Sequence, residues 1–330
     1  MSISLSVVVI NYNYGKFIEQ CVRSILDQDL CGTELIVVDD GSTDNSLEIV
    51  KSIVDPRLRW VTQANGGMIS AMNRGFAETR GPFVAFVDAD DYLLPGALRL
   101  HFENLSRPDV VRSQGYLEVF QDERSTDMRL PGRVAPEGDL RRIALHQGPG
   151  AVVSAPNSGN AWSKRFLRHV FPLPPGPRRL GAETFLMDAA PLFGLVKTMD
   201  QPVGVYRQHG TSMSHAKRSI NAQILSDVVD GYATRFIHLA KIARQQGYGI
   251  NESDWLSRNW RLLTVRNLLS RQSGRRDLSP ALGRHLWSAL DVSGGWHKKL
   301  AVAMFVIGLK SLPVRPAMRV AGLFIHPHYM

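Results

Sequence analysis

Seven polar residues in the first hundred positions stand just after short apolar runs, where their side chains could bind a ligand or an ion. They are Asn11 and Asn13, Asp39 and Asp40, and Asp88, Asp90 and Asp91. Five carboxylates brought together would repel one another unless a cation lay among them. Because divalent cations such as Mg²⁺ and Mn²⁺ accept oxygen ligands, these residues indicate a divalent-metal site.

Asp88 and Asp90 are two residues apart, so at the end of a strand their carboxylates lie on the same side, and Asp91 adds a third at the turn. The alternative is that such aspartates only cap turns, which is our interpretation of Asp44. An aspartyl phosphatase also carries Asp-x-Asp after a strand, but it needs a Thr or Val where this chain has Tyr92. The chain contains neither G-x-x-x-x-G-K-[ST] nor G-x-G-x-x-G, so kinase-like and dinucleotide-dependent chemistry are poorly supported.

The segments around these groups alternate between strand and helix patterns. Apolar runs at 6–10, 35–38, 58–62 and 83–87 predict buried strands. Apolar residues at helical spacing predict helices over 18–26, 47–54 and 67–79. This alternation predicts an α/β fold with a parallel sheet and helices on both faces. Ligands bind beyond the carboxyl ends of the strands in such sheets, so we expect the polar groups to meet there.

Four motifs together resemble the family 2 inverting glycosyltransferases with the GT-A fold. They are SVVVINYN at 6–13, VVDDGSTD at 37–44, NGGMISAMNRG at 65–75 and FVDADD at 86–91. The clear resemblance covers about residues 4–105, and a looser one continues through 158–162, 182–186 and 206–210. It implies a GT-A nucleotide-diphospho-sugar transferase fold, with a mostly parallel, Rossmann-like sheet followed by a C-terminal helical region.

The resemblance also implies a role for each matching residue. The donor would be a nucleotide sugar, and a divalent metal, Mn²⁺ or Mg²⁺, would bridge its diphosphate. The implied nucleotide- and donor-binding residues are Asn11, Tyr12, Asn13, Asp39, Asp40, Arg74, Asp88 and Arg207. The implied metal ligands are Asp90, Asp91 and His209.

An inverting transfer needs a base for the proton of the acceptor hydroxyl. The family usually supplies it from the Asp of a Glu-Asp pair. The matching stretch here has Ala182 in place of the first acid and Glu183 in place of the Asp. Glu183 is therefore the implied catalytic base, with Asp188 as the second choice.

Charge is unevenly spread along the chain. Residues 1–130 hold 12 Lys and Arg against 19 Asp and Glu, a net charge of −7, whereas the remaining residues carry +16. Within 211–330 the net charge is +11, and apolar residues at helical spacing predict helices near 224–236, 255–269, 282–290 and 300–309. Either this tail is a solvated helical surface, or it docks on an anionic membrane with help from Trp255, Trp260, Trp287 and Trp296. No nucleic-acid recognition module is discernible, so nucleic acid is not an expected partner.

The cysteine content and the hydropathy of the chain indicate where in the cell the protein is expected. Two cysteines suit a reducing cytosol, and the first residues show no secretory signal pattern. The longest apolar run, 300–309, has ten residues, whereas a spanning helix needs about 20, so we interpret it as a buried or interfacial helix. We expect a cytoplasmic protein, with peripheral attachment at the inner face of the membrane as a further expectation.

The predicted domains are a GT-A catalytic domain over 1–215 and a basic helical region over 216–330. The catalytic domain divides into a nucleotide-binding half, 1–105, and an acceptor half, 106–215. The expected function is metal-dependent, inverting transfer of a sugar to a glycan or lipid-linked acceptor, in surface polysaccharide or glycoconjugate synthesis. The rivals are a degenerate protein that binds a nucleotide sugar without turning it over, and a scaffold acting through its basic tail.

Overall fold

A computed structural model describes residues 3–132, 134–175, 181–210, 222–250, 255, 259–273, 296–313 and 316–317. The chain divides into two compact units. The first comprises residues 1–142 and 152–209, and the second comprises 143–151 and 210–330. The division thus falls six residues before the predicted boundary, and it assigns a short internal segment to the second unit.

The first unit is built on one sheet, which contains nine strands among the described residues. They are β1 (Leu5–Asn11), β2 (Thr33–Asp39), β3 (Leu58–Thr62), β4 (Phe83–Asp88), β5 (Tyr92–Leu93), β6 (Val110–Gln121), β7 (Arg124–Leu130), β8 (Asn160–Ser163) and β9 (Leu195–Gln208). Their order is β3-β2-β1-β4-β8-β6-β9-β5, and β7 pairs with β6 outside this path. The predicted α/β class is confirmed.

Strand direction changes across the sheet. β1 runs parallel to β2 and to β4, and β2 runs parallel to β3. β8 is antiparallel to both of its neighbours, and β9 is parallel to β6. The parallel part, β1 to β4, is the part of the sheet that the sequence predicts. Its strands are continuous apolar runs, which burial on both faces of a sheet requires.

Helices cover the sheet or connect its strands. They are α1 (Ile18–Leu26), α2 (Ser46–Ser52), α3 (Met68–Glu78), α4 (Ala97–Leu105), α5 (Arg141–Gln147), α6 (Lys164–Val170) and α7 (Glu183–Ala189). The prediction that Val54 continues the second helix is wrong, because that helix ends at Ser52 and Val54 is 97 % exposed. An apolar residue at the right spacing is therefore not always a packed one.

One close approach fixes α3 against the sheet. A Cβ added to Gly75 would lie 2.4 Å from Val8 of β1 and 3.1 Å from Val38 of β2. Only a residue without a side chain allows the helix backbone to come this near. The GGMISAMNRG segment thus uses its last glycine for packing.

Three helices are described in the second unit, namely α8 (Ala222–Gln245), Trp260–Ser273 and Trp296–Ser311. Tyr232 and Phe236 are buried as their spacing predicts. Trp255 is also buried, and its indole N–H donates to the carbonyl of Leu145 at 2.8 Å. The prediction that Trp255 helps membrane docking is therefore wrong, because this ring packs inside its own unit.

The predicted helix at 282–290 and Trp287 lie outside the described residues. Among the residues that the structure does describe, none forms a helix with both the length and the apolarity needed to cross a membrane.

We predict that Gly75→Ala lowers the free energy of unfolding by about 1–3 kcal/mol, since the new methyl group would collide with two strands. Gly308→Ala is the matched control, because a Cβ at this helical glycine has nothing within 4 Å. That control is expected to stabilise by up to about 1 kcal/mol through helix propensity. Urea unfolding followed by circular dichroism measures both, and equal effects would contradict the packing argument.

Candidate active site

The carboxyl ends of β1, β2 and β4 lie side by side. Asn11 stands opposite Asp39, and Ile10 stands opposite Asp88. The structure therefore brings the three polar groups of the sequence to one edge of the sheet.

Asn11 ties the ends of β1 and β2 together. Its side-chain amide donates to the carboxylate of Asp39 at 2.7 Å and to the hydroxyl of Ser46 at 2.8 Å. The other carboxylate oxygen of Asp39 accepts from the backbone N–H of Ser42 at 3.1 Å. Both Asn11 and Asp39 are buried, so this network holds the Asp39 carboxylate in one orientation.

The loop after β1 presents Tyr12 and Asn13. Asn13 has φ 61°, in the left-handed region, and its side-chain oxygen accepts from the backbone N–H groups of Thr43 (2.7 Å) and Asp44 (3.3 Å). The Tyr12 ring is 45 % exposed. Asn13 thus shapes the loop, and Tyr12 offers an aromatic face to solvent or to a ligand.

Two residues expected at the donor have protein partners. Asp40 accepts from the side-chain amide of Gln63 at 2.7 Å and from the backbone N–H groups of Gly66 and Gly67, each at 2.8 Å. It therefore holds the loop before α3 in place. Arg74 lies in an ion pair with Glu78 at 3.0 Å and is half exposed on α3. The structure does not join either residue to the carboxyl cluster described next.

Asp90 and Glu183 each act electrostatically on Asp88. Burial, together with the negative charges of Asp90 and Glu183, raises the pKa of Asp88 to about 8. The side-chain amide of Asn157 donates to Asp88 at 2.8 Å and opposes this shift. Glu183, at the first position of α7, is therefore part of the carboxyl cluster at the end of β4.

Asp91 lies deeper than the other carboxylates. It accepts from the hydroxyl of Ser158 at 2.6 Å and from the backbone N–H of Arg207 at 3.3 Å. Burial is the main reason that the pKa of Asp91 lies well above its usual range, with Asp90 and Asp88 adding to it. Its oxygens thus join the end of β4 to β9 and to the loop before β8.

His209 and Asp90 form a pair of potential metal ligands in the cluster. Nε2 of His209 lies 3.1 Å from Oδ2 of Asp90. The ring of His209 stacks on Phe17 with centroids 4.4 Å apart, and Tyr14 meets it edge-on at 5.9 Å. Burial and the charges of Asp90, Asp88 and Asp91 raise the pKa of Tyr14.

Arg207 is a buried cation between two rings. Its guanidinium carbon lies 5.0 Å from the centroids of both Phe17 and Tyr92. Nη1 is 3.9 Å from the carboxylate of Glu123, whereas buried Nε and Nη2 have no hydrogen-bond acceptor within the described part of the chain. Buried donors of this kind are normally satisfied, so an anionic ligand is the natural acceptor.

The second choice for the catalytic base has different surroundings. Asp188 acts electrostatically on Arg112, a fully buried cation whose guanidinium donates to Asn160, Gln114 and Ser154. Glu183, by contrast, acts on Asp88. Of the two acids, Glu183 is therefore the one that acts electrostatically on the cluster.

No motif in the sequence predicted which aromatic residues line the site. Tyr14, Phe17 and Tyr92 surround His209 and Arg207, and Asn157 holds Asp88. Tyr14 and Phe17 are three residues apart just before α1, a spacing equally typical of core packing. The sequence therefore shows that aromatics occur near the motif, but not what they contact.

A divalent cation would find some of its ligands here. No complete group of three His, Cys, Asp or Glu ligands is arranged around a point within the described residues. Asp90 and His209 nevertheless place a carboxylate oxygen and an imidazole nitrogen 3.1 Å apart, next to carboxyl groups whose pKa is raised by burial and by neighbouring negative charge. This donor set fits a cation that takes its remaining ligands from a diphosphate or water.

Residues 6–158 match the Glycosyl transferase family 2. An uncharacterized glycosyltransferase of Nostoc sp. is 29 % identical over 306 residues, which are 88 % of each chain. The chondroitin synthase of Pasteurella multocida is 37 % identical over 98 residues, covering 29 % of this chain and 10 % of that one. The long match to the Nostoc protein includes the helical second unit.

Two solved structures share the fold. Staphylococcus aureus TarS 1-349, in complex with UDP-GlcNAc, has a TM-score of 0.57 at 17 % identity, covering 96 % of this chain and 92 % of that one. The mannosyltransferase PcManGT of Pyrobaculum calidifontis, in complex with GDP-Man and Mn²⁺, has a TM-score of 0.52 at 16 % identity, covering 98 % and 87 %. The expected GT-A fold is thereby confirmed.

We predict that Asn11→Asp lowers the free energy of unfolding by about 2–4 kcal/mol, because it removes two buried donors and places a second carboxylate beside Asp39. Asn45→Asp is the matched control. Asn45 is exposed at the N-terminus of α2, where a negative charge is tolerated, so a change within about 0.5 kcal/mol is expected. Thermal and urea unfolding measure both variants, and equal losses would argue against the network.

Proposed function

We propose that this glycosyltransferase, whose residues 6–158 match the Glycosyl transferase family 2, transfers a sugar from a nucleotide-sugar donor to a hydroxyl of a glycan or lipid-linked acceptor, with inversion at the anomeric carbon. The observation that carries the proposal is that Glu183, at the first position of α7, acts electrostatically on Asp88 at the end of β4. The base that takes the proton of the acceptor hydroxyl and the residues that bind the donor would then lie in one site.

The nucleoside part of the donor would bind at the ends of β1 and β2. Asp39 is held in one orientation by Asn11, which prepares it to accept hydrogen bonds from a base. Tyr12 supplies an exposed ring on the same loop. The TarS and PcManGT complexes hold UDP-GlcNAc and GDP-Man, which supports a nucleotide-sugar donor but leaves the base and the sugar open.

The diphosphate would bind between Arg207 and the Asp90–His209 pair. Two guanidinium nitrogens of Arg207 are buried without an acceptor among the described residues, and a phosphate oxygen would satisfy them. Asp90 and His209 would hold the divalent cation, with Asp91 behind them as a support. When bound, the cation would offset the negative charge that gathers on the departing diphosphate.

Glu183 would accept the proton of the acceptor hydroxyl as the oxygen attacks the anomeric carbon from the side opposite the diphosphate. A carboxylate is a competent acceptor for this proton. The pathway is proposed to be surface polysaccharide or glycoconjugate synthesis, on the limited match to chondroitin synthase.

We predict that Glu183→Gln lowers kcat by about 10²–10⁴-fold while changing donor affinity less than about threefold, because only proton acceptance is lost. Asp188→Asn is the comparison variant, since its partner is Arg112, and it should retain most of the turnover. Nucleotide release in the presence of Mn²⁺ and calorimetric donor binding give the two readouts.

Three experimental outcomes would favour an alternative to this proposal. Donor binding without turnover in the unchanged protein would indicate a degenerate binding protein. A larger effect of Asp188→Asn would move the base to Asp188. Absence of any nucleotide-sugar binding would favour a scaffold.

A second proposal concerns the helix Trp296–Ser311. Its Leu300, Met304 and Ile307 recur at i, i+4 and i+7 and are 50 %, 60 % and 42 % exposed, whereas Ala303 and Val306 are buried. Lys298, Lys299 and Lys310 stand beside this stripe in the sequence. We propose that the stripe enters the interface of an anionic membrane, because apolar residues flanked by lysines suit that surface.

Replacing Leu300, Met304 and Ile307 together by Ser is expected to lower affinity for vesicles rich in phosphatidylglycerol by more than tenfold, since each side chain loses its burial in lipid. Val54→Ser with Val134→Ser is the control, because these valines are exposed elsewhere in the chain. Vesicle flotation measures both, and equal binding of all three proteins would refute docking through this stripe.

A further inference from the structure

A groove lies at the end of the sheet opposite the carboxyl cluster. It is bounded by the start of β4, the start of β6, the turns before them, and α6, and its volume is about 520 Å³. Phe83 begins β4 and Asp88 ends it, so the groove is separated from the cluster by the length of that strand, about 17 Å. The proposed donor and acceptor chemistry does not use it.

Five cationic residues line this groove, and no carboxylate does. They are Arg80, Arg107, Lys164, Arg165 and Arg168, which we call the basic groove. They come from three segments of the chain, namely the turn before β4, the turn before β6 and α6. Such convergence of one sign of charge raises the local concentration of anions.

The groove is held in shape by contacts between these segments. The backbone N–H of Lys164 donates to the carbonyl of Pro82 at 2.8 Å, and its Nζ donates to the carbonyl of Thr79 at 2.5 Å. The guanidinium of Arg165 donates to the carbonyl of Pro108. The cations are therefore presented on a preformed surface, which reduces the entropy cost of binding.

Neighbouring carboxylates compensate only part of this charge. Asp109 lies 3.6 Å from Arg107, and Glu34 acts on Lys164 from the sheet. The side chains of Arg80 and Arg168 make no hydrogen bond or ion pair within the described ranges. Burial and the charge of Arg168 lower the pKa of Lys164, which is consistent with a concentrated positive potential.

One wall of the groove is apolar and is formed by Pro82, Phe83, Leu105, Pro108 and Val110. Cations over an apolar wall suit a ligand with a phosphate group on a less polar body. We propose that the basic groove is a binding site for a phosphate-bearing ligand, independent of the transferase site.

The test uses the full chain and replaces the two cations that lack protein partners. Arg80→Gln with Arg168→Gln should weaken phosphate-dependent binding roughly 30-fold, at about 1 kcal/mol for each cation. Lys51→Gln with Arg142→Gln is the control, because both residues are exposed and the net charge falls equally. Donor hydrolysis should be unchanged in both variants, which shows that the fold and the transferase site are intact.

Two probes distinguish the sources of phosphate. Calorimetry with inorganic phosphate, in chelator and at constant ionic strength, tests a small soluble ligand. Sedimentation with phosphatidylglycerol–phosphatidylcholine vesicles tests a lipid headgroup. A loss in either arm that is confined to the groove variant supports the proposal and identifies the source. Equal behaviour of the groove variant and the control in both arms would overturn it.

Discussion

Mutual repulsion among carboxyl groups is the constraint on which the first unit depends. Parallel pairing of β1 with β2 and β4 brings Asp39 and Asp88 to one edge, and α7 adds Glu183. The protein manages this charge with donors: Asn11 for Asp39, Asn157 for Asp88, and Ser158 for Asp91. Arg207 and His209 lie beside Asp91 and Asp90 at the same edge of the sheet.

Much of the front half could be predicted because its signals are local. Strands buried on both faces need continuous apolar runs, and these gave β1 to β4 nearly to the residue. The meeting of the aspartates at one edge then follows from strand direction alone. Glu183 could be named only through the resemblance, since a single acid at a helix start carries no pattern of its own.

The remaining features depend on contacts that a sequence does not encode locally. Asp40 and Asp39 are adjacent, yet Asp40 holds a loop while Asp39 points into the network with Asn11. Trp255 looks like an interfacial tryptophan, but the carbonyl of Leu145, 110 positions away, accepts its indole proton. The basic groove likewise combines cationic residues from segments that are far apart in the sequence. Counting charges along the sequence gives the number of these residues but does not show that they meet in space.

The position of β9 has a consequence for synthesis on the ribosome. β9 pairs with β6 and delivers Arg207 and His209 to Asp91 and Asp90 only when residues 195–209 have left the exit tunnel. Until then the aspartates at the end of β4 lack Arg207 and His209 as neighbours, and this edge of the nascent front half is incomplete. Long-range strand pairing is slow to form, so this late strand is expected to set when the carboxyl cluster of the emerging chain is completed.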